Sequence, residues 1–223
     1  MYRLNYKFVL RLVVVLVGVC ALPSEGQLLD TLSASFRKIP MPFFSFESNN
    51  SFVGKTPAWV TGYKVGVTFN SRISFGYGWY KLVSDIVENK KVQSESGHDT
   101  IVPAQLEMKY KGISMSYVYL KNNKWVLSAS LQPGWGKSYF EYFESRGNAA
   151  RAFEHNVVML EFGSGAQYKI VRWVGVGAGI GYRVMLKNNP SFDYNFNTLN
   201  YYLGIRIYID EIYKTVFPKG IRL

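Results

Sequence analysis

The stretch Trp125-Val-Leu127-Ser-Ala129-Ser-Leu131-Gln-Pro133-Gly-Trp135 carries apolar groups on its odd positions and mostly small or polar groups on its even ones. A period of two marks a β-strand with one apolar and one polar face. Its two tryptophans share the apolar face and lie ten residues apart. At a rise of ~3.3 Å per residue and a tilt of ~40°, ten residues climb roughly 25 Å along a barrel axis. That matches the apolar band of a transmembrane barrel, which aromatic girdles border on both sides.

The same alternation recurs over eight segments, 41–53, 59–70, 72–83, 104–120, 125–139, 155–168, 171–186 and 199–209. The clearest is 171–186, where Val174, Val176, Ala178, Ile180, Tyr182 and Val184 alternate with four glycines and Arg183. In 104–120 the apolar phase slips: Leu106, Met108 and Tyr110 share one parity, Ile113, Met115, Tyr117 and Tyr119 the other. A β-bulge at Gly112 is the expected cause. Pro133 cannot donate to a ladder and suggests a second local bulge.

The connections at 70–72, 121–124 and 169–171 are tight. Those at 54–57, 84–102, 140–154 and 187–198 are longer and polar. Short turns on the periplasmic side and long loops outside are the pattern of an outer-membrane barrel, and the even count fits it. The expected fold is all-β, an eight-stranded antiparallel up-and-down transmembrane β-barrel spanning 41–209. Trp125 and Trp173 then fall at the periplasmic rim, and Trp59, Trp79 and Trp135 at the outer rim. A soluble barrel or sandwich, with the apolar faces packed inward, is the alternative.

Residues 1–26 read as a secretory signal peptide: Arg3, Lys7 and Arg11, then an apolar run from Leu12 to Leu22, then Ser24-Glu-Gly26 before a cut at Gln27. A lipoprotein signal ending at Cys20 is disfavoured by the bulky Val19 before it. Segments 27–40 and 210–223 are expected to be periplasmic, the second a tail after the last strand. Cys20 is the single cysteine, so the mature chain offers no disulfide, thiol nucleophile or thiolate metal site. Removing 1–26 takes away three cations and one anion and leaves a net charge of +9. In a secreted protein that balance points to lipid phosphates or solvated loops, and away from nucleic acid.

Taken as a set, Gly62-Tyr-Lys-Val-Gly-Val-Thr-Phe-Asn-Ser-Arg-Ile-Ser-Phe-Gly-Tyr-Gly-Trp79, Phe44-Ser-Phe-Glu-Ser-Asn-Asn-Ser-Phe52 and Trp173-Val-Gly-Val-Gly-Ala-Gly-Ile-Gly-Tyr182 resemble the small outer-membrane β-barrel proteins of Bacteroidetes-type bacteria. The resemblance implies an outer-membrane location in a Gram-negative bacterium and no shared catalytic set. Gly204-Ile-Arg-Ile-Tyr-Ile209 roughly resembles the terminal strand read by barrel-assembly machinery, but fourteen residues follow it.

Candidate chemistry is sparse. Barrel-interior charges are expected at Lys64, Glu107, Glu161, Arg183 and Arg206, with Lys109, Lys111 and Glu47 beside them. In an eight-stranded barrel they must pair, because a lone buried ion costs several kcal/mol. They either brace the barrel or line a narrow solute or ion path, with the glycine row 175–181 making space for Arg206 and Tyr208. His98 lies beside serines and acids within 94–99, but loop neighbours seldom converge into a triad. His155, after Glu154, invites comparison with lipid A deacylases. Their serine lies two residues beyond the histidine, where this chain has Val157. Lys121, Lys124, Lys169 and Arg172 cluster at short turns, where cations favour anionic headgroups. No cofactor or metal is expected. The expected partners are outer-membrane lipids, including lipopolysaccharide, and a protein met through the outer loops. The expected role is structural or interactive, with a lipid A-modifying enzyme using His155 or a narrow channel as alternatives.

Overall fold

The computed structural model describes residues 35–36, 39–53, 56–93, 99–143, 149–192 and 196–216. Residues 1–26, read above as a signal peptide, most of 27–40, Ser94 to His98 and 217–223 lie outside the described residues. Residues Pro40–Leu223 make one compact unit, separate from Met1–Ile39.

Within that unit the described residues form β1 (Met41–Val53), β2 (Thr56–Phe69), β3 (Ile73–Leu82), β4 (Val87–Gln93), β5 (Asp99–Lys121), β6 (Trp125–Phe143), β7 (Ala149–Val171), β8 (Val174–Lys187), β9 (Thr198–Tyr208) and a helix α1 (Ile209–Val216). Every pairing is antiparallel. β1 pairs with both β2 and β9, and β3 with both β2 and β5, so the sheet closes on itself. The ring is β1-β2-β3-β5-β6-β7-β8-β9, the eight-stranded up-and-down barrel that the alternation predicts. β4 is an arm on its rim, pairing with β5 from Val87↔Gln105 to Gln93↔Asp99, beyond the point where β3 leaves off at Lys81↔Lys109. Closure satisfies the backbone groups of the wall, which leaves no sheet edge around the ring.

Local chemistry sets the tight turns. Asn70 and Ser71 both have positive φ (48° and 54°) and Arg72 N–H donates to Phe69 O at 2.9 Å, the twist a short hairpin needs. At the next turn the Asn122 side-chain oxygen accepts from the Lys124 and Trp125 backbone N–H groups at 3.0 and 2.6 Å.

Three sequence expectations are corrected. No register shift occurs at Gly112: the β5–β6 ladder holds one register from Leu106↔Phe140 through Gly112↔Gly134 to Met115↔Leu131, and the shift falls between Val118 and Leu120. Pro133 causes no bulge; it pairs in register with Leu160 on β7, and the break at its missing N–H is confined to the β5 side. The connections read as long loops at 84–102 and 140–154 are largely strand. β4 folds back on the start of β5, and β6 and β7 run on together to Phe143↔Ala149. The first of them, at 54–57, shrinks to the two residues between Val53 and Thr56.

β5 and β7 are each 23 residues long. A tilted strand crosses a bilayer in ~9–11 residues, so both extend far past any apolar band. Over the extension the interior is a packed apolar core: Ala58, Val60, Tyr80, Leu82, Ile86, Ala104, Leu106, Met108, Tyr110, Phe140, Val157, Met159, Phe192 and Phe196. The apparent phase slip in β5 is therefore a change of surroundings. Leu106, Met108 and Tyr110 continue the inward series of Gly112 and Ser114, and what changes is the medium outside the wall.

The expected tail begins one residue earlier and starts as the helix α1, which lies against β1. Ile209, Ile212 and Val216 sit at helical spacing; Ile209 and Val216 are exposed.

Candidate functional site

Two features are candidates for function: a polar belt across the lumen and a band on the outer wall where apolar side chains give way to lysines.

Register builds the belt. Gln132 on β6, Glu161 on β7 and Arg183 on β8 are direct cross-strand partners on the inward face. Arg183 Nε donates to Glu161 Oε1 at 2.5 Å, Tyr110 Oη to the same oxygen at 3.3 Å, and Gln132 Nε2 to Glu161 Oε2 at 3.3 Å. Tyr80 Oη lies 3.0 Å from Gln132 Oε1 and 3.3 Å from Glu47 Oε2, sharing its hydrogen between them. Glu47 Oε1 is 2.7 Å from Lys64 Nζ, and Ser45 Oγ donates to it at 3.2 Å. Two ion pairs on opposite walls are thus joined through the Gln132 amide and the Tyr80 phenol, with no net charge. Arg183 is fully buried, so its charge depends on Glu161 for compensation. The space left around the belt is about 80 Å³, enough for a few waters.

Below the belt, Arg206 stacks its guanidinium 3.7 Å above the Phe43 ring and donates to Thr68 Oγ1 and Ser74 Oγ at 2.8 and 3.2 Å. Above it, Tyr80 and Tyr110 stack at 4.9 Å and begin the apolar core. In the glycine row of β8 a Cβ on Gly175 would meet the Tyr208 ring at 3.5 Å, but none would meet Arg206; the tightest fit is around Tyr202, where a Cβ on Gly179 would lie 2.4 Å from the ring and one on Gly165 of β7 would lie 1.8 Å from its hydroxyl oxygen.

Lys64, Glu161, Arg183 and Arg206 have their side chains on the inward face. Glu107 does not, nor do Lys109 and Lys111. They have the parity opposite to buried Leu106, Met108 and Tyr110, and Glu107 pairs across the outer wall with Lys81 at 3.3 Å. A slip at Gly112 would have turned them inward; without it they point out.

On that outer wall two successive rows differ sharply. One runs Phe46↔Tyr63↔Trp79↔Lys111↔Trp135↔Val158 from β1 to β7. Tyr63 and Trp79 stack at 5.2 Å, and Tyr77 packs edge-on to Trp79 and Trp135 at 4.7 and 6.3 Å. The next row, two residues on, runs Thr61↔Lys81↔Lys109↔Lys137↔Asn156. Lys137 Nζ reaches Glu154 at 2.5 Å, and its charge and hydrogen bond hold that carboxyl below the ordinary carboxylate value. Arg151 lies 4.6 Å from the Tyr139 ring centre. Among the described residues no carboxylate lies within ion-pair reach of Lys109 or Lys111. The two rows line one open groove of about 1060 Å³.

Trp59, Trp125, Trp135 and Trp173 are exposed on the outer wall or the turn below it, and Trp79 lies in the aromatic row. His155 faces Ser138 across β6–β7, but Ser138 accepts from Asn189 Nδ2 at 3.2 Å and neighbouring Glu154 is engaged by Lys137 outside. Sequence reading missed Tyr80, Tyr110 and Gln132 in the belt, and Lys81 and Lys137 in the lysine row. No single-strand pattern marks them, because their partners lie on other strands.

No family model matches the sequence, and no curated protein is significantly similar to it. Among solved structures the chain is similar to Neisserial surface protein A, with 12% identity over 76% of this chain and 96% of that one and a TM-score of 0.48. A major outer membrane protein of Thermus thermophilus is similar at 10% identity over 74% and 98%, TM-score 0.49. The attachment invasion locus protein Ail of Yersinia pestis is similar at 13% identity over 76% and 96%, TM-score 0.44.

Proposed function

We propose that this chain is an integral outer-membrane barrel of a Gram-negative bacterium that neither catalyses nor conducts, and that offers its long-hairpin end to the outside. The observation that carries the reading is the change of character along the outer wall. Up to the row of Trp79 and Trp135 the outward residues are apolar and exposed, among them Val65, Ile113, Met115, Leu131, Val176, Ile180 and Leu203. Beyond it β3, β5 and β6 turn to lysine while the interior becomes an apolar core. An apolar exterior with a polar belt inside suits lipid; a charged exterior with an apolar interior suits water. Trp59, Trp79 and Trp135 then form the outer girdle and Trp125 and Trp173 the periplasmic one.

A non-conducting role is supported by the neutral belt and by the apolar core stacked on it, in a barrel whose lumen is filled by side chains. A structural or interactive role is supported by the hairpins of β4–β5 and β6–β7, which stand beyond the girdle as ordered strands. Outer-leaflet lipids, including lipopolysaccharide, are the immediate neighbours in this reading.

Gel mobility of the outer-membrane fraction, boiled against unboiled, tests it. A folded barrel resists detergent at room temperature and shifts on boiling. Recovery in the soluble periplasmic fraction with no shift would refute the reading. Planar-bilayer recording of the folded chain is expected to be silent, and lipid A from cells with and without the protein is expected to have the same mass profile.

A further inference from the structure

We infer that the lysine row Lys81–Lys109–Lys137, with Lys111 beneath it, is a binding site for the phosphate groups of an outer-leaflet glycolipid whose acyl chains lie on the aromatic row below. The inference rests on the outer-membrane reading above. Strands in a sheet lie ~4.8 Å apart, and like charges directly opposite one another destabilise the pairing. Three lysines on three adjacent strands in one register row are therefore an arrangement that the fold alone disfavours. The flanking two are partly compensated, Lys81 by Glu107 at 3.3 Å and Lys137 by Glu154 at 2.5 Å. Lys109, in the centre, has no such partner among the described residues, and neither does Lys111 between the two tryptophans. An anion seated on Lys109 and Lys111 relieves both.

The apolar half of the groove selects among anions. A soluble polyanion has no use for the Trp79, Trp135 and Val158 surface that adjoins the lysines. A phosphorylated disaccharide carrying acyl chains uses both halves, chains against the aromatic row and phosphates against the lysines. The groove, at about 1060 Å³, lies just above the ~300–1,000 Å³ of small-ligand pockets and is open to its surroundings, as a lipid headgroup requires. It is continuous with the apolar band, so the lipid needs no separate entry path. Lysines serve here as point charges toward phosphate oxygens, and the interaction is screened by salt because they are exposed.

The test uses the full chain folded in detergent, its barrel checked by the boiling shift, with native mass spectrometry counting retained lipid A. The probes are lipid A with two phosphates and the same acylated disaccharide with none. Wild type is expected to retain the phosphorylated form ~tenfold more tightly, the scale of a charged hydrogen bond. Lys81→Gln/Lys109→Gln/Lys137→Gln is expected to lose that preference. Lys121→Gln/Lys124→Gln/Lys169→Gln, which removes equal charge at the short-turn end, is expected to keep it. Equal retention of both lipids by wild type, or equal loss in both triple variants, overturns the site while leaving the barrel reading intact. Retention of a soluble sulfated polysaccharide without preference for phosphorylated lipid A overturns the choice of glycolipid. A chain that shows no boiling shift fails earlier, and with it fails the outer-membrane reading.

Discussion

Glu161 on β7 and Arg183 on β8 face each other in one register row, with Arg183 Nε 2.5 Å from Glu161 Oε1 and the arginine side chain wholly buried. Through Gln132 and Tyr80 this pair is connected to Glu47 and Lys64 on the far wall. A barrel of this width has no room for bulk water, so its interior charges depend on one another, on neutral side chains such as Gln132 and Tyr110, and on the few waters the space beside the belt can hold.

Breaking that pair is therefore expensive. Arg183→Met leaves Glu161 buried with only neutral donors, and a loss of about 3–5 kcal/mol is expected. The double variant Arg183→Met/Glu161→Leu should recover most of it. Urea unfolding in detergent followed by tryptophan fluorescence measures both; a double variant as unstable as the single one contradicts a simple ion pair.

The small residues around Tyr202 are equally specific. Gly179→Ala places a methyl 2.4 Å from the Tyr202 ring and is expected to cost about 1–3 kcal/mol by overpacking. Combining it with Tyr202→Ala removes the ring contact but leaves the new methyl 2.6 Å from the Ser164 backbone oxygen, so part of the loss should be relieved and the two substitutions should fall short of additive. Additive losses in the same unfolding assay would argue against the contact.

In the apolar core beyond the girdle, Phe140 is fully buried and packs against Phe153 and Phe192 at 6.3 and 6.4 Å. Phe140→Ala is expected to cost about 3–5 kcal/mol. Because the cavity lies above the belt, limited proteolysis should cut the β4–β5 and β6–β7 hairpins faster while the boiling shift is retained. Loss of the shift would mean that core and membrane barrel unfold as one.

Lys109 should behave in the opposite way. With no lipid present, Lys109→Gln removes repulsion from Lys81 and Lys137 and is expected to leave stability unchanged or raise it by ~0.2–1 kcal/mol. A clear drop in the urea midpoint would give this lysine a structural role instead.

Glu154 offers a titration. Lys137 lowers its pKa, so the Glu154–Lys137 contact is present above the ordinary carboxylate value and fades as pH falls through the lowered one. Nuclear magnetic resonance of labelled glutamates should place Glu154 below its fellows at the surface, and Lys137→Gln should return it to their range. An unchanged midpoint in that variant would rule out Lys137 as the cause.

Much of this was legible along the chain. Alternation fixes which residues share a face, so the outward set Trp125, Leu127, Ala129, Leu131 and Trp135 and the inward set Glu161, Gly163, Gly165 and Gln167 follow from one strand at a time. Asn70-Ser71 and Asn122-Asn123 announce tight turns through their own side-chain chemistry. Eight alternating segments joined by such turns determine an antiparallel meander.

What the chain could not decide is which face is inside once a strand leaves the lipid. Along β5 the periodicity of Leu106, Met108 and Tyr110 is the same whether they meet acyl chains or a core. Glu107, Lys109 and Lys111 take the face that remains. Only closure of the barrel, with β5 running far beyond the aromatic row, turns the apolar set inward and the lysines out. The lysine row is tertiary in the same sense: Lys81, Lys109 and Lys137 are far apart in sequence and meet because two ladder registers put them opposite one another. Side-chain direction is a local property with a period of two, but the medium each face meets is set by the neighbouring strands and the height along the barrel.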